Sequence, residues 1–417
     1  MNGPVVFLSI DTLRQDVFNK QCFEESWDII ASDFTRYPNT LSHGVATPHA
    51  FPGIVSTRPV RGDGELPNSE PTIAELFTEY TVGFTNNGHL RENRGYDRGF
   101  DQFGNTRLPT CKSIGQKSIV DKIKDIDRVQ NSEVLRRLYN WYQSQTPSPP
   151  YSKDVVPAET VTEWTLSELD SEPPEFIWSH YMDTHKPFIP EHSLNPPDVG
   201  ISKEKLAEIN DYDREDDPPS KEHRDLLWDL YKATVRYLDR DLANLLRELQ
   251  TKEWYDEALL ILVADHGELF GEYDHMWHPM TIDPVYELIN TPLAVKYPGQ
   301  RYAGDVQTHQ VHHTDIITTI ASYLDQPDVF PQGTHPLYDT DDRITVSKSN
   351  TSIRVTSSDG HAIRRRDGTH DASGKVSDKM QEKLDNAVFP NIKTMAGEVR
   401  GLEDERRIEQ LKALGYR

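Results

Sequence analysis

The chain has few cysteines, no long apolar run and a shortage of basic residues, and each shortage excludes a class of protein. Its 417 residues include only Cys22 and Cys111, too few for a disulfide framework or a thiolate metal site, so we interpret both as free thiols. No run approaches the roughly 18–20 apolar residues of a membrane span. The opening stretch MNGPVVFLSIDT lacks the basic segment of a signal peptide, so we expect a soluble, cytoplasmic protein without a membrane partner.

The charge balance limits the binding partners. Lysine and arginine number 45 against 68 aspartate and glutamate residues, which gives a net charge of −23 at pH 7. Such a charge opposes binding to a phosphate backbone, so we expect no nucleic-acid partner. The length and the 35% hydrophobic content suffice for a large α/β domain with a smaller appendage. The sequence leaves the oligomeric state open.

Apolar runs of strand length alternate with amphipathic stretches up to about residue 325. The runs that predict strands lie within 5–16, 81–88, 176–190, 258–265 and 291–299. The stretches that predict helices are 69–80, 113–145, 226–249 and 315–324. Strands alternating with helices predict an α/β fold, with a mostly parallel central sheet and helices on both of its faces.

The pattern changes after residue 328. Short β-prone pieces are separated by turn residues such as Asp359-Gly360 and Asp367-Gly368, which predicts an antiparallel meander. A polar linker at 369–380 and a charged C-terminal helix follow. We therefore predict a first domain over 1–327 and a small C-terminal α+β subdomain over 328–417.

Three of the predicted strands end in polar residues, and the most informative end lies in ALLILVADHGELFGEYDHMWHP, residues 258–279. There an apolar run stops at Asp265-His266-Gly267. The other two ends carry Asp11 with Thr12, and Asp183 with His185. The carboxyl ends of parallel strands form the edge of an α/β sheet where ligands bind. Aspartate with histidine suits a catalytic divalent metal, although Asp265 as a helix cap beside a packed histidine is the alternative.

Eight segments in a fixed order resemble the sulfatases, a family of metal-dependent hydrolases within the alkaline-phosphatase superfamily. They are SIDTLRQD, the turn before GIVSTRP, GYDRGFDQF, HYMDTHKPFIP, YLDRDLANLL, VADHGELFGE, NTPLAVKYPG and HHTDIITTIASYL. Together they cover roughly residues 5–325. The resemblance implies the alkaline-phosphatase fold for this part of the chain, and hydrolysis of sulfate or phosphate esters.

The resemblance also implies site residues. Those matching its metal ligands are Asp11, Thr47, Asp265 and His266. Thr47 falls at the position of the nucleophile, in a proline-flanked turn nine residues before Ser56-Thr57. His185 matches the anion-binding histidine, and His278 matches a basic residue that contacts the transferred group. His275 is an additional histidine, which we consider either as a substrate-binding residue or as one without a role.

Two departures from the family pattern affect the chemistry. The usual Cys-x-Pro-x-Arg, whose cysteine becomes formylglycine, is replaced by Thr47-Pro48-His49-Ala50-Phe51, which excludes formylglycine. Phe51 replaces the arginine, so histidines or the metal must neutralise the charge of the nucleophile. Thr12 stands where many members carry a second aspartate. One carboxylate fewer beside a histidine favours manganese or zinc over calcium.

These residues predict transfer of a phosphoryl or sulfuryl group to Thr47, with His185 and His278 neutralising its oxygens and one of them protonating the leaving oxygen. Threonine lacks the second hydroxyl of formylglycine, so water or another acceptor must displace the group. Relatives with a threonine nucleophile commonly act on phosphate esters. The expected substrate is a small-molecule or glycan ester. Two alternatives remain: a transferase that passes a phospho-group to a glycan or alditol, and a non-catalytic binding protein.

Some residues keep two interpretations at this stage. His180 lies within a predicted strand and suits the core. Asp183 either orients His185 or belongs to a turn. The run Arg364-Arg365-Arg366 is either a solvated basic stretch or part of the substrate cleft. The acidic, proline-rich stretch 191–222 predicts an excursion that shapes the pocket.

Overall fold

The computed structural model describes residues 3–56, 64–66, 68, 71–104, 156–170, 172–211, 219–326, 329, 335–341 and 343–390. The helices predicted at 113–145 and at the C-terminus lie outside these residues, as does Cys111. Cys22 is a buried free thiol.

The strands are short and numerous. In chain order they are β1 (Val5–Ile10), β2 (Thr35–Arg36), β3 (Thr40–Leu41), β4 (Thr81–Phe84), β5 (Gln102–Phe103), β6 (Phe176–Tyr181), β7 (Leu259–Ala264), β8 (Leu269–Phe270), β9 (Met276–Trp277), β10 (Asn290–Thr291), β11 (Leu293–Lys296), β12 (Val311–His312), β13 (Thr345–Lys348), β14 (Ser352–Ser357), β15 (Gly360–Arg365) and β16 (His370–Gly374). The α-helices are α1 (Trp27–Asp33), α2 (Thr47–Ser56), α3 (Ala158–Glu168), α4 (Lys203–Asn210), α5 (Lys221–Gln250), α6 (Tyr286–Ile289), α7 (Thr314–Tyr323) and α8 (Asp378–Asn386).

A seven-stranded sheet in the order β2-β11-β7-β1-β6-β4-β5 forms the centre of the fold. Strands β7, β1, β6, β4 and β5 run parallel, and β11 and β2 join antiparallel at one edge. Every residue of β1, β6 and β7 is buried, which explains why these strands appear in the sequence as continuous apolar runs. The mostly parallel sheet predicted from the sequence is confirmed.

Helices cover both faces of this sheet, as predicted. On one face, α5 buries an apolar stripe that includes Leu230, Leu238 and Leu242 against the sheet and α3. On the other face, α2 and α7 pack against each other over the opposite side chains of β1, β6 and β7. Because the side chains of a strand alternate between its faces, β1 supplies both cores. Among the described residues, no helix has both the length and the apolar composition that crossing a bilayer requires.

The C-terminal part is a four-stranded antiparallel meander, β13-β14-β15-β16, covered by α8 through Met380 and Leu384. The predicted meander is confirmed. The linker predicted at 369–380 is wrong, since β16 continues the meander there and Ser377 caps the start of α8 by accepting the Met380 N–H. The domain boundary at 327/328 stays a prediction.

Strand β13 is tied to the segment that follows β3. Lys348 N–H donates to His43 O at 2.8 Å, and Ser347 Oγ donates to Ser42 O at 2.6 Å. Ser42 in turn donates from its hydroxyl to Asp265 O at 2.6 Å, directly after β7. The C-terminal sheet is therefore bonded to the segment after β3, and this segment contacts the end of β7.

Two local predictions fail for identifiable reasons. The described part of the helix predicted at 69–80 contains a single 3₁₀ turn at Ala74–Leu76. The backbone becomes extended at Phe77, and Ile73 N–H donates to Val55 O outside the turn. The turn predicted around Thr47 is the start of α2, which continues through Pro52. Pro48 suits the first helical turn, where a backbone N–H has no intrahelical partner, whereas Pro52 lies inside the helix.

The predicted excursion at 191–222 contains α4, with residues 212–218 outside the description. Asn210 at the end of α4 fixes this stretch to the chain after β6. Its side chain accepts the Phe188 N–H at 2.7 Å and donates to Phe188 O at 3.0 Å.

Candidate metal-dependent active site

Parallel pairing of β1 and β7 brings the first ligand candidates together. Ile10 pairs with Ala264, so Asp11 and Asp265 follow side by side at the carboxyl edge of the sheet. Oxygen atoms of these two carboxylates and a ring nitrogen of His266 lie within 4.8 Å of one another. All three side chains are fully buried.

Thr47 faces this group from the first residue of α2. Its Oγ1 lies 2.9 Å from Asp265 Oδ2, 3.3 Å from Asp11 Oδ2 and 3.4 Å from His266 Nε2. A hydroxyl has one hydrogen, so it donates to only one of these carboxylates at a time. The helix dipole places partial positive charge at the start of α2, and this stabilises negative charge that develops on Oγ1.

In each of the two carboxylates, one oxygen atom accepts hydrogen bonds that orient the side chain. Asp265 Oδ1 accepts the N–H groups of Thr12, at 3.2 Å, and His266, at 2.8 Å. Asp11 Oδ2 accepts from Asn87 Nδ2 at 2.7 Å, whereas buried Asp11 Oδ1 has no hydrogen-bond partner in the described part of the chain. An unsatisfied carboxylate oxygen beside a second carboxylate and an imidazole fits a divalent cation.

The charges at this position also require compensation. Burial and the neighbouring charge of Asp11 raise the pKa of Asp265 well above its usual value. Burial would likewise raise the pKa of Asp11, but the imidazoles of His180, His185 and His266 outweigh it, and the pKa lies well below its usual range. Two buried carboxylates cannot both stay ionised at low energetic cost unless a positive charge accompanies them.

Thr12 orients Asp265 instead of supplying a carboxylate. Its backbone is in the left-handed region, with φ of +54°, which is strained for a β-branched residue. Its hydroxyl donates to Thr184 O at 2.6 Å, and its carbonyl accepts from the Tyr231 hydroxyl at 3.0 Å. These bonds hold the Thr12 N–H toward Asp265.

The imidazoles of His278 and His185 lie beside the candidate metal ligands Asp11, Asp265 and His266. The ring centroids of His266 and His278 are 4.6 Å apart, and those of His185 and His278 are 5.2 Å apart. His185 Nδ1 lies 2.8 Å from Lys186 O, and burial lowers the pKa of His185 to about 4. Burial also lowers the pKa of His278 well below its usual value, so both rings are neutral near pH 7 in the unliganded protein.

Glu268 holds His278, and the sequence analysis did not identify it. Strands β8 and β9 form a hairpin in which Leu269 pairs with Trp277, so Glu268 and His278 come opposite each other. Glu268 Oε1 lies 2.8 Å from His278 Nδ1. Burial raises the pKa of Glu268 to about 7. The contact between Glu268 and His278 depends on the register of the hairpin, which could not be predicted from the sequence.

Asn87 is the second residue that sequence reasoning missed. It follows β4, which pairs with β6 in the parallel sheet, so a fourth strand end joins the other three at this edge. The stretch TVGFTNNG predicted a strand, and the polar residues that follow its apolar part are the signal that could have indicated Asn87.

Several other predicted residues have roles in positioning. His180 is buried in β6, with Nδ1 2.8 Å from Ser9 Oγ and Nε2 3.4 Å from Asp11 Oδ2. Asp183 accepts the N–H of Ala158 at 3.1 Å and thereby caps α3. Phe51 is buried and packs edge-on against His180, with ring centroids 5.2 Å apart. It therefore belongs to the core and not to the charge-bearing part of the site.

His275 is not part of the imidazole group. It is partly exposed and lines a separate cavity together with Arg365 and Arg366. The three arginines at 364–366 are not simply solvated. Arg364 donates to Leu384 O, Arg365 pairs with Asp283, and Arg366 donates to Asn350 O.

The surroundings of Gly267 explain why a glycine follows His266. Its N–H donates to Leu288 O at 2.8 Å, and a Cβ at this position would lie 1.9 Å from Glu287 O. We expect Gly267→Ala to lower the free energy of unfolding by about 3 kcal/mol or more, because backbone must shift. Chemical denaturation measures the loss. Gly200→Ala, in open space with φ of +62°, is the control and should cost only about 1 kcal/mol. Equal losses in both variants would contradict the steric explanation.

Comparisons with known proteins agree with this geometry. The sequence model of the sulfatase family matches residues 5–326. Among solved structures, the phosphonate monoester hydrolase SpPMH from Silicibacter pomeroyi is 15% identical, with a TM-score of 0.59 and 89% of each chain covered. A 2-O GAG sulfatase is 13% identical, with a TM-score of 0.60 over 99% of this chain and 90% of the other. The lipoteichoic acid synthase LtaP from Listeria monocytogenes is 13% identical, with a TM-score of 0.55 over 92% and 89%. No curated protein matches the chain.

Proposed function

The chain belongs to the sulfatase family, and from that membership we propose that it is a metal-dependent hydrolase of phosphate or sulfate esters with Thr47 as its nucleophile. The observation that carries the proposal is the position of Thr47 Oγ1, which faces Asp11, Asp265 and His266 at the start of a helix. A nucleophilic hydroxyl needs a group that lowers its pKa and a site that tolerates negative charge. A cation held by Asp11, Asp265 and His266 would meet the first requirement, and the dipole at the start of α2 supports the second.

Asp11, Asp265 and His266 are the residues that would hold the metal, with Thr47 as the fourth ligand. When bound, a divalent cation supplies Lewis acidity that lowers the pKa of a hydroxyl at neutral pH. The set of two carboxylates, one imidazole and one hydroxyl favours manganese or zinc over calcium, which prefers six to eight oxygen ligands.

The reaction proceeds in two halves. Thr47 gives up its hydroxyl proton to solvent and its Oγ1 attacks the phosphorus or sulfur atom in line, while the bond to the leaving oxygen breaks and that oxygen takes a proton from the protonated ring of His278 or His185. Water then attacks the same atom and returns one proton to that ring, and Thr47 Oγ1 leaves and regains its proton from solvent. An anionic substrate beside the imidazoles raises their pKa, and the Glu268 carboxylate stabilises the protonated ring of His278.

A plain threonine favours phosphorus esters within this proposal. Formylglycine has a second hydroxyl, whose deprotonation expels the bound group, and threonine has none. The second half must therefore be a direct displacement. The structural neighbours include a phosphonate monoester hydrolase and a GAG sulfatase, and at 15% and 13% identity they support the fold alone.

A side-by-side assay tests the function. The purified protein, loaded with manganese or zinc and analysed for metal content, is offered 4-nitrophenyl phosphate, bis(4-nitrophenyl) phosphate, a phenylphosphonate monoester and 4-nitrophenyl sulfate. We expect turnover of at least one ester, with phosphorus esters preferred, and glycerol added as acceptor separates hydrolysis from transfer. A metal-free protein inactive on all four esters would indicate a binding protein instead.

Glu268→Gln tests the assignment of His278 as the general acid. The amide keeps the shape of the side chain but removes the charge that stabilises a protonated His278. We expect kcat to fall about 10- to 100-fold while the metal content stays unchanged. Glu253→Gln, an exposed position, is the control. A normal kcat in Glu268→Gln would leave His185 as the remaining candidate for the acid.

A further inference from the structure

The turn between β13 and β14 contacts the two segments that carry the proposed nucleophile and the proposed acid. Asn350 lies in this turn and is only 8% exposed. Its side-chain Oδ1 accepts from His49 Nε2 at 3.1 Å, and His49 follows Thr47 by two residues on α2. Its N–H donates to Met280 O at 2.7 Å, and Met280 follows His278 by two residues. One buried residue is therefore hydrogen-bonded to both segments.

The contact on the side of the nucleophile is closely packed. A Cβ at Gly44 would lie 2.2 Å from His49 Cβ and 2.8 Å from Lys348 O. His49 is fully buried, and its N–H donates to Ala46 O at 2.8 Å. Close packing leaves the imidazole little freedom, so its bond to Asn350 fixes the first turn of α2.

The C-terminal sheet also holds the segment that follows His278. Thr351 Oγ1 donates to Thr281 O, directly beside the bond that Asn350 makes. On β15, Arg365 Nη2 lies 2.5 Å from a carboxylate oxygen of Asp283. The segment after His278 is therefore attached to the C-terminal sheet as well as to the β8–β9 hairpin.

Asn350 is itself held in place from the C-terminal side. Arg366 Nε donates to Asn350 O at 3.0 Å, and Arg366 Nη2 donates to Pro390 O at 2.6 Å. The guanidinium carbon of Arg366 lies 4.8 Å from the centroid of the Phe389 ring. The backbone N–H, the backbone carbonyl and the side-chain oxygen of Asn350 are thus all hydrogen-bonded. A residue fixed in this way orients the groups to which it is bonded.

We propose that Asn350 is a positioning residue for the transfer reaction, which fixes Thr47 at the start of α2 relative to His278. The proposal rests on the proposed function, in which Thr47 attacks while His278 protonates the leaving oxygen. Such a step depends on the distances between nucleophile, transferred atom and acid, and a displacement of about 1 Å costs about 100-fold in rate. Asn350 acts through His49 and Met280 and does not itself contact the transferred group.

The first test uses Asn350→Leu, which keeps the size of the side chain and removes the acceptor for the His49 Nε2–H. A displacement of Thr47 relative to the acid affects most strongly a leaving group that needs a proton. We therefore expect kcat/KM on phenyl phosphate to fall about tenfold more than on 4-nitrophenyl phosphate, through kcat and not KM, with unchanged metal content. The matching sulfates replace these esters if the wild type prefers them. Equal losses on both esters would overturn the role of Asn350.

Companion variants separate this bond from a general weakening of the fold. His49→Leu should give the same shift, and the double variant with Asn350→Leu should lose no more than either single variant. His49→Gln keeps an N–H donor and should keep the wild-type ratio of the two esters. Arg364→Met is the control, because Arg364 bonds to Leu384 O and Ala387 O within the C-terminal part. Additive losses in the double variant, or the same shift in Arg364→Met, would contradict the proposal.

Hydrogen exchange tests the link between the two segments without turnover. In metal-loaded Asn350→Leu, amides in peptides that cover 42–50 and 276–284 should exchange faster than in the wild type, and in Arg364→Met they should not. Faster exchange in only one segment, or in neither, would overturn the proposal. A wild type that forms no covalent intermediate at Thr47 would overturn the proposed function and, with it, the role in transfer. Normal labelling of Thr47 with equal ester losses in Asn350→Leu would overturn the role of Asn350 alone.

Discussion

Replacing Thr47 by alanine is expected to reduce ester hydrolysis by about 10⁴-fold or more, the scale on which enzymes lose activity when a nucleophile is removed. The reason is geometric, since Thr47 Oγ1 is the hydroxyl held against both carboxylates and His266. Stopped assays on the best ester of the panel measure the loss. The protein should remain folded, because the methyl group of alanine preserves the start of α2.

Two companion variants separate chemistry from packing. Thr47→Ser keeps the hydroxyl and should retain activity within about tenfold, whereas Thr47→Val keeps the shape and should be as inactive as alanine. Acid-quenched wild-type enzyme should carry a phosphoryl or sulfuryl group on the peptide that contains Thr47, detectable by mass spectrometry. Activity of Thr47→Val near the wild-type level would contradict a covalent step at this residue.

The second large effect concerns the paired carboxylates. In metal-loaded protein, Asp265→Asn and Asp11→Asn should each lower metal affinity at least about 100-fold and abolish turnover, because each removes a charged ligand. A ligand present at 100 times its Kd stabilises a protein by about 2.7 kcal/mol. Adding manganese should therefore raise the Tm of the wild type and leave both variants almost unchanged.

Without metal, the two variants should change the Tm in opposite directions. Burial and the charge of Asp11 make ionised Asp265 unfavourable, so Asp265→Asn should raise the Tm of the metal-free protein. Asp11 is surrounded by Asn87 and three imidazoles that favour its charge, so Asp11→Asn should lower that Tm. Thermal unfolding in the presence of a chelator measures both. A fall of Tm in both metal-free variants would show that the Asp265 carboxylate stabilises the fold without a cation.

The sequence predicted those parts of the fold in which burial follows a regular pattern along the chain. Strands β1, β6 and β7 are buried on both sides, and this produces uninterrupted apolar runs. The long helix α5 shows an apolar stripe because one of its faces packs on the sheet and α3. Where a helix was predicted at 69–80, the backbone becomes extended at Phe77 after a single 3₁₀ turn, and the apolar pattern does not encode this change.

Some residues of the candidate site could likewise be predicted from the sequence, and others could not. Asp11, Asp265 and His266 follow apolar strands, so their position at the sheet edge could be predicted. Glu268 opposite His278 depends on a hairpin register, and Asn350 beside His49 joins residues 301 positions apart. No local pattern encodes such pairs. Thr47 was identified through family resemblance, but its place at a helix start was not, because Pro48 and Pro52 suggested a turn.

The tie between β13 and the segment after β3 has a consequence for biosynthesis. Ser347 bonds to Ser42, 305 positions earlier in the chain, and Ser42 in turn holds the carbonyl of Asp265. A ribosome must therefore release nearly the whole chain before Asp11, one of the first residues made, gains its finished surroundings. We therefore expect Asp11, Asp265 and His266 to reach the geometry of the candidate metal site only after translation. A chain cut short before β13 would contain all three residues and lack the Ser347–Ser42 contact.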